Sequence, residues 1–329
     1  MNEIISELVI KCNLGSLLET PKRIEGGLLN KMFKVCTTKS NYAFKLINPE
    51  VIKRKNGMKN ILFTEKVSNI AKLNGIKCIS ALVINNEIIH SIKDNYFLIF
   101  DWFEGKSITE EELTEDKIKK ISKELSLLHK IDFTSVENEC DIFYELEEIN
   151  FDFYLSKIKN KNIYILVKEI KARFSELDKE SIECLKKIKE KKVISHRDLD
   201  LPNVLWNNEN EPVIIDWETS GWVNPTLEVI DTAWNWAGGK DFFDKNKYKI
   251  FLETYIKEGG NLDDYEIAFK ADYKAKLRWF EYNLKRITIF DFLDEEEIKL
   301  GEKEVIRSAD EIIKFDEYRN HMINYDKII

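Results

Sequence analysis

Between residues 193 and 217 the chain reads Val-Ile-Ser-His-Arg-Asp-Leu-Asp-Leu-Pro-Asn-Val-Leu-Trp and, after a polar stretch, Val-Ile-Ile-Asp-Trp. Asp198 and Asn203 stand five positions apart, and Asp216 follows thirteen residues later at the end of an apolar run. A carboxylate fixed in such a loop can accept the proton of an attacking hydroxyl, while the amide oxygen beside it ligates a divalent metal ion. A second carboxylate on the end of a strand supplies the charged ligand. That division suits phosphoryl transfer, whose loose and highly charged transition state is served mainly by positioning and by metal charge. Each residue taken singly is an ordinary turn former. The full spacing, with apolar strands on both sides, is what carries the reading, and His196 within it reads as a structural hydrogen-bonding residue.

These groups need a partner lobe to hold the phosphates. Lys45 sits mid-strand in Tyr-Ala-Phe-Lys-Leu-Ile-Asn, with Phe44 and Leu46 on the opposite face. A lone inward lysine is costly without partners, so it should meet a carboxylate and a phosphate. Glu65, on the one helix of this region, is the expected carboxylate, although Lys59 and Lys66 offer it surface partners as well. Upstream, Glu25-Gly-Gly-Leu-Leu-Asn-Lys31 joins two strands; Gly26 and Gly27 could bring backbone amides close to phosphate, or simply turn a hairpin.

The surrounding pattern places these groups on elements. Residues 31–38, 42–48, 80–85 and 95–103 alternate or run in short apolar blocks, as strands do, and one helix is expected over 58–73. After Gly105 the period changes to that of helices: 114–131, 150–174, 178–190, 225–237, 243–258 and 263–290, with short strands in 193–217. Residues 1–105 carry fifteen basic and ten acidic side chains, net +5, and the remainder nets −13 out of a total of −8. The two parts can be solvated surfaces of opposite sign, or seats for an anionic ligand and then a cationic one. So acidic a chain is a poor nucleic-acid partner. Five cysteines without a C-x-x-C spacing argue against a disulfide framework and a zinc site and suit a reducing cytoplasm. No membrane span or signal peptide is expected from the apolar patterning.

Taken together, these residues resemble the aminoglycoside phosphotransferase and choline kinase group of small-molecule kinases. The resemblance runs over roughly residues 20–290: the G-G-x-x-N loop (Gly26, Gly27, Asn30), Lys45, Glu65, the F-D-W-F-E-G hinge (Phe100 to Gly105), L-x-x-L-H (Leu125 to His129), H-R-D-L-x-x-x-N and I-I-D-W-E. It implies an α+β, bilobal protein-kinase-like fold. Residues 1–104 would form a small antiparallel-sheet N-lobe with one helix, ending in the hinge. Residues 105–329 would form a larger, mainly helical C-lobe with the catalytic loop, metal site and acceptor pocket. The implied activity is Mg²⁺-dependent transfer from ATP, with GTP left open, to a hydroxyl of a small molecule, an aminoglycoside, choline or another amino alcohol among the cationic options.

By that resemblance Asp198 is the catalytic base, Asn203 and Asp216 hold the metal, Lys45 contacts the nucleotide phosphates, and the backbone around Asp101 and Phe103 holds adenine. Asp216 is followed by Trp217-Glu218 rather than Phe-Gly and no A-P-E segment follows, which speaks against a protein substrate. Glu228 stands where these enzymes usually carry an aspartate. The acceptor side draws on Asp200, Glu218, Glu228, Asp231, Trp234 and Trp279, acids and aromatics that could box a cation, although indoles at helical positions are often core. The rival is a catalytically silent nucleotide-binding regulatory module on the same fold; against it, Lys45, Asp198, Asn203 and Asp216 are all present.

Overall fold

The structure, a computed structural model, describes residues 1–24, 30–136, 146–188, 191–239, 242–290 and 295–323. The chain divides into two compact units, one of Met1–Ile108, Lys130–Asp141 and Ile194–Gly221, the other of Thr109–His129, Ile142–Val193 and Trp222–Ile329.

The first unit is built on a five-stranded antiparallel sheet in the order β1-β2-β3-β5-β4, with β1 at Lys22–Ile24, β2 at Lys31–Cys36, β3 at Asn41–Leu46, β4 at His90–Ile92 and β5 at Asn95–Asp101. Helix α1 (Asn2–Lys11) covers one face: Ile5, Leu8, Val9 and Cys12, spaced at three and four residues, pack with Phe33, Val35, Phe44, Phe97 and Ile99. Because side chains alternate along a strand, burying Phe44 on this face turns Lys45 to the other. In the register Lys45 faces Met32 on β2 and Leu98 on β5. Helices α2 (Pro49–Lys53) and α3 (Gly57–Leu73) follow β3, with the Asn48 side chain capping α2 through the amide of Glu50.

Two expectations fail in this unit. Residues 80–85 form no strand: their amides serve other groups, Ala81 N donating to the Glu65 carboxylate and Leu82 N to the Ile99 carbonyl, while β4 occupies the place beside β5. Beyond the one helix expected at 58–73, the unit also carries α1, whose apolar stripe is only ten residues long, and the five-residue α2.

The second unit is helical. Helix α4 (Glu115–Leu128) is capped by the Thr114 hydroxyl and is followed along the chain by α5 (Phe151–Leu155) and α6 (Lys161–Ile188). Strand β6 (Val193–Ser195) leads into the first unit, whose β7 (Val204–Trp206) and β8 (Pro212–Ile214) form a hairpin, and β9 (Gly221–Val223) leads out again. Then come α7 (Pro225–Trp236), α8 (Lys245–Lys257), α9 (Tyr265–Thr288) and α10 (Glu295–Met322). Of the helices expected at 150–174 and 178–190, the first breaks after Leu155, the Asn160 side chain accepting Asn162 N where α6 begins, and α6 then runs through residues 174–178 with no glycine or proline to interrupt it. Helix α10 was also unforeseen. Its Ile312 and Phe315 join the core of this unit, Phe315 stacking on Phe269 of α9 with ring centroids 4.7 Å apart. No helix of the described residues is long and apolar enough to cross a membrane.

Candidate functional site

The loop after β6 is pinned from inside. His196 is fully buried; its Nε2 donates to the Ile215 carbonyl at 2.9 Å, its ring meets Trp217 edge-on at 4.9 Å, and its own carbonyl accepts the Thr219 hydroxyl at 3.0 Å. It therefore ties residues 196–198 to the segment 215–219, as a structural residue would. Arg197 takes the left-handed conformation, φ 66°, and its guanidinium donates to the Thr219 carbonyl. Asp216 is left-handed too, at φ 60° and ψ 62°. Two such residues flanking one loop mark a backbone held where side chains rather than propensity need it.

Asp198 and Asn203 are brought together. The Asn203 amide nitrogen donates to the Asp198 carbonyl at 2.8 Å and to its carboxylate Oδ2 at 3.0 Å. The turn Leu201–Asn203 closes through Asn203 N to the Asp200 carbonyl, and the Asn203 carbonyl accepts from Ile215 N. With its nitrogen committed to Asp198, the amide oxygen is the atom of the Asn203 side chain that could hold a metal.

Lys45, on β3, meets Asp216 and Glu218. Its ammonium lies 2.7 Å from Asp216 Oδ1 and 2.8 Å from Glu218 Oε2, and its side chain is 12% exposed. Burial pulls the Lys45 pKa down, but the two carboxylates more than offset it and hold the ammonium above its ordinary value. The expected partner, Glu65, does not make this ion pair. Its carboxylate accepts Ala81 N at 2.9 Å and the Ser68 hydroxyl at 3.4 Å. Burial pushes the Glu65 pKa up, against the Ala81 amide and the Lys45 charge, which pull it down. Asn30 binds Glu218 Oε2 through its amide nitrogen at 2.8 Å and accepts Asn48 N on its oxygen at 2.9 Å. Gly26 and Gly27 lie outside the described residues.

The hinge residues follow β5. Asp101 is the last residue of that strand and exposed, opposite Tyr42, and Trp102 N donates to the Asn41 carbonyl. Phe103 is half-buried beside Gly105, where a Cβ would come within 2.5 Å of the Phe103 ring and 2.9 Å of the Trp206 carbonyl. Lys106 and Trp206 exchange both backbone hydrogen bonds, so Gly105 lets the hinge close against β7.

The six residues expected to meet the acceptor separate. Asp200 and Glu218 belong to the first unit with Asn203 and Asp216, and Glu218 is engaged on Lys45 and Asn30. The other four belong to the second unit. Glu228 is 4% exposed and accepts His129 Nε2 at 2.8 Å, while His129 Nδ1 meets the Tyr255 hydroxyl at 2.7 Å, which joins α7 to α4 and α8. Asp231 binds Lys276 at 2.5 Å, with Asp272 at 3.4 Å and Glu311 at 3.8 Å from the same ammonium. Trp234 is a core residue, fully buried and stacked on Phe243 at 4.8 Å; Trp279 is 39% exposed and stacked on Tyr282. Of the six, Asp231 thus meets the protein's own Lys276, whose ammonium also lies 4.9 Å from the Phe315 ring centre. An i,i+4 Asp-Lys pair in Lys-Ala-Asp-Tyr-Lys-Ala-Lys was the available signal for that buried cluster.

Among the described residues no group of three or more His, Cys, Asp or Glu side chains is arranged to hold a metal. One carboxylate and one amide oxygen are hard donors, of the kind that could hold a divalent ion whose remaining positions go to water and phosphate oxygens.

A family model described as the phosphotransferase enzyme family matches residues 20–266. No curated protein sequence matches the chain. Among solved structures, a spectinomycin phosphotransferase in complex with ADP and spectinomycin aligns at 14% identity with TM-score 0.69, covering 94% of this chain and 98% of that one. An amicoumacin kinase in complex with AMP-PNP and Ca²⁺ aligns at 15% identity and TM-score 0.65, covering 94% and 93%. An ethanolamine kinase from Plasmodium vivax aligns at 17% identity and TM-score 0.61, covering 93% and 85%. Likeness at such identities shows a shared fold.

Proposed function

The chain belongs to the phosphotransferase enzyme family, and we propose that it transfers the γ-phosphoryl group of ATP, with Mg²⁺, to a hydroxyl of a small cationic molecule such as an amino sugar or amino alcohol. The observation that carries the reading is the pairing of Asp198 with Asn203 and of Lys45 with Asp216, three separate stretches of sequence, with the Ile215 amide beside Asp216 bonded to the Asn203 carbonyl. The organisation we propose is a nucleotide lobe ending at the hinge near residue 104 and a helical acceptor lobe beyond it.

In this reading Asp198 orients the acceptor hydroxyl and takes its proton as the oxygen attacks the γ-phosphorus. A new O–P bond forms, the bond to the β-phosphate oxygen breaks, and ADP leaves. The Asn203 amide keeps the Asp198 carboxylate in place through its 3.0 Å hydrogen bond. Lys45 contributes charge to the α- and β-phosphates, and the hinge backbone at Asp101 and Phe103 takes the base. Asp216 and the Asn203 oxygen would hold Mg²⁺, which supplies charge to the phosphates when bound. The cationic acceptor rests on the −13 net charge after residue 105 and on the amine-bearing compounds named for the structural relatives. A reducing, cytoplasmic setting suits Cys12, Cys36, Cys78 and Cys184, all free thiols.

The test is Mg·ATP consumption screened over aminoglycosides, choline and other amino alcohols, sugars and homoserine, with Asp198→Asn as control. Turnover on at least one acceptor, lowered roughly 10²- to 10⁴-fold in Asp198→Asn with nucleotide binding retained, is the expected result. Full turnover in that variant would remove Asp198 from its role.

A further inference from the structure

Glu218 is the meeting point of the nucleotide side of the site. Its Oε2 accepts two donors at once, Lys45 Nζ from β3 and Asn30 Nδ2 from the start of β2, each at 2.8 Å. Asn30 is held at its other end by Asn48 N, and the Asn48 side chain caps α2. A continuous chain of hydrogen bonds therefore runs from the α2 cap through Asn30, Glu218 and Lys45 to Asp216. Two carboxylates meet one ammonium here, so the site carries surplus negative charge on the side a polyphosphate must approach. That charge would repel the phosphates if Glu218 faced them directly; its value lies in what it holds.

Were Asp216 to hold a metal ion, Lys45 would keep Glu218 as its remaining anchor. The carboxylates of Asp216 and Glu218 are 38% and 40% exposed against 12% for Lys45, so both anchors lie on the solvent side and the ammonium behind them. Resting on the phosphotransferase reading above, we propose that Glu218 is a positioning residue for the nucleotide: it aims Lys45 at the phosphates and ties Asn30, just ahead of β2, to the Asp216 side of the site. It acts through those two donors and ligates neither metal nor acceptor.

The experiment is a double-mutant cycle on the whole chain, reading the Mg·ATP dissociation constant by calorimetry and the split between KM for ATP and kcat. Glu218→Ala and Asn30→Ala should each weaken Mg·ATP binding, Glu218→Ala by about ten- to a hundredfold, the range for losing charge-assisted hydrogen bonds. The double variant should be little worse than Glu218→Ala, because the two residues act through one contact. Glu218→Gln, whose amide oxygen still accepts from both donors, should recover most of the loss. The Mg²⁺ concentration for half-maximal turnover at saturating ATP should stay within about twofold of wild type in Glu218→Gln. Additive single effects, or a Gln variant as weak as Ala with a displaced Mg²⁺ requirement, would overturn the proposal, the latter by making Glu218 a metal ligand. Wild-type protein that fails to bind Mg·ATP would sink the phosphotransferase reading itself, whereas normal wild-type binding with unaltered binding in both single variants would sink only this inference.

Discussion

Asp272 offers a test of the helical unit that is independent of any substrate. It is fully buried on α9, neither of its carboxylate oxygens has a hydrogen bond, and the nearest cation, Lys276, lies 3.4 Å away with its shorter contact given to Asp231. The charged groups around it are Lys276 from its own helix, Asp231 from α7 and Glu311 from α10, with the paired hydroxyls of Tyr248 and Tyr265 from α8 and α9. Burial raises the carboxyl; Lys276 pulls it down and Asp231 and Glu311 push it up, to about 7 from the ordinary 3.8.

The sign follows from proton linkage. Below pH 4 the group is neutral folded and unfolded and contributes nothing; as pH rises the unfolded chain releases the proton first, so stability falls until the folded group also ionises near pH 7. Taking 1.36 kcal/mol per pKa unit, the penalty is about 2 kcal/mol at pH 5 and about 4 kcal/mol at pH 8. Asp272→Asn keeps the shape, removes the ionisation and leaves Lys276 with Asp231 and Glu311. Relative to wild type it should therefore gain roughly 2 to 3 kcal/mol of stability between pH 5 and pH 8, whatever its absolute level. Urea unfolding followed by far-ultraviolet circular dichroism at several pH values reads this difference directly. Parallel stability–pH curves for the two proteins would refute the reasoning.

Three further outcomes are expected. Millimolar Mg·ATP should raise the melting temperature, since a ligand at about 100 times its dissociation constant adds about 2.7 kcal/mol, and Lys45→Ala should remove most of that shift; an unshifted wild type would count against nucleotide binding altogether. His129→Ala takes away the imidazole that buried Glu228 and Tyr255 share, and should cost about 3 kcal/mol in thermal or chemical unfolding, with Glu228→Gln milder because its amide still reaches the ring. Gly105→Ala forces a methyl onto the Phe103 ring and the Trp206 carbonyl, and should cost about 1 to 3 kcal/mol and weaken Mg·ATP binding measured by calorimetry, while a neutral result would show that the hinge yields easily.

The elements that show in the sequence are those whose periodicity is not contested by side-chain hydrogen bonds. Strands β2, β3 and β5 and helices α3, α4, α7, α8 and α9 fall where apolar alternation or helical stripes put them. Residues 80–85 alternate equally well, yet the Glu65 carboxylate captures the Ala81 amide, and no local pattern reveals a competitor sixteen residues away. Helix α1 escaped notice for a related reason. Its stripe of Ile5, Leu8 and Val9 acquires meaning only against the sheet face of Phe44 and Phe97, a partner formed later in the chain.

The site divides along the same line. Asp198 with Asn203, and the inward lysine of β3, are short-range statements, and spacing exposes them. Which carboxylate meets Lys45 is a long-range one. Twenty residues along the chain pointed to Glu65, but the carboxylates that reach the ammonium come from Asp216 and Glu218, more than 170 residues away. Glu218, two positions after Asp216, reads in the sequence as an acceptor-side residue. The left-handed turn at Asp216 leads into the tight turn Trp217–Thr219, and there Glu218 meets β3, with Trp217 buried against His196. The positive φ at Asp216, a conformation that costs an ordinary residue about 1 kcal/mol or more, thus leads the chain into the turn from which the second acid of Asp-Trp-Glu meets Lys45 and Asn30.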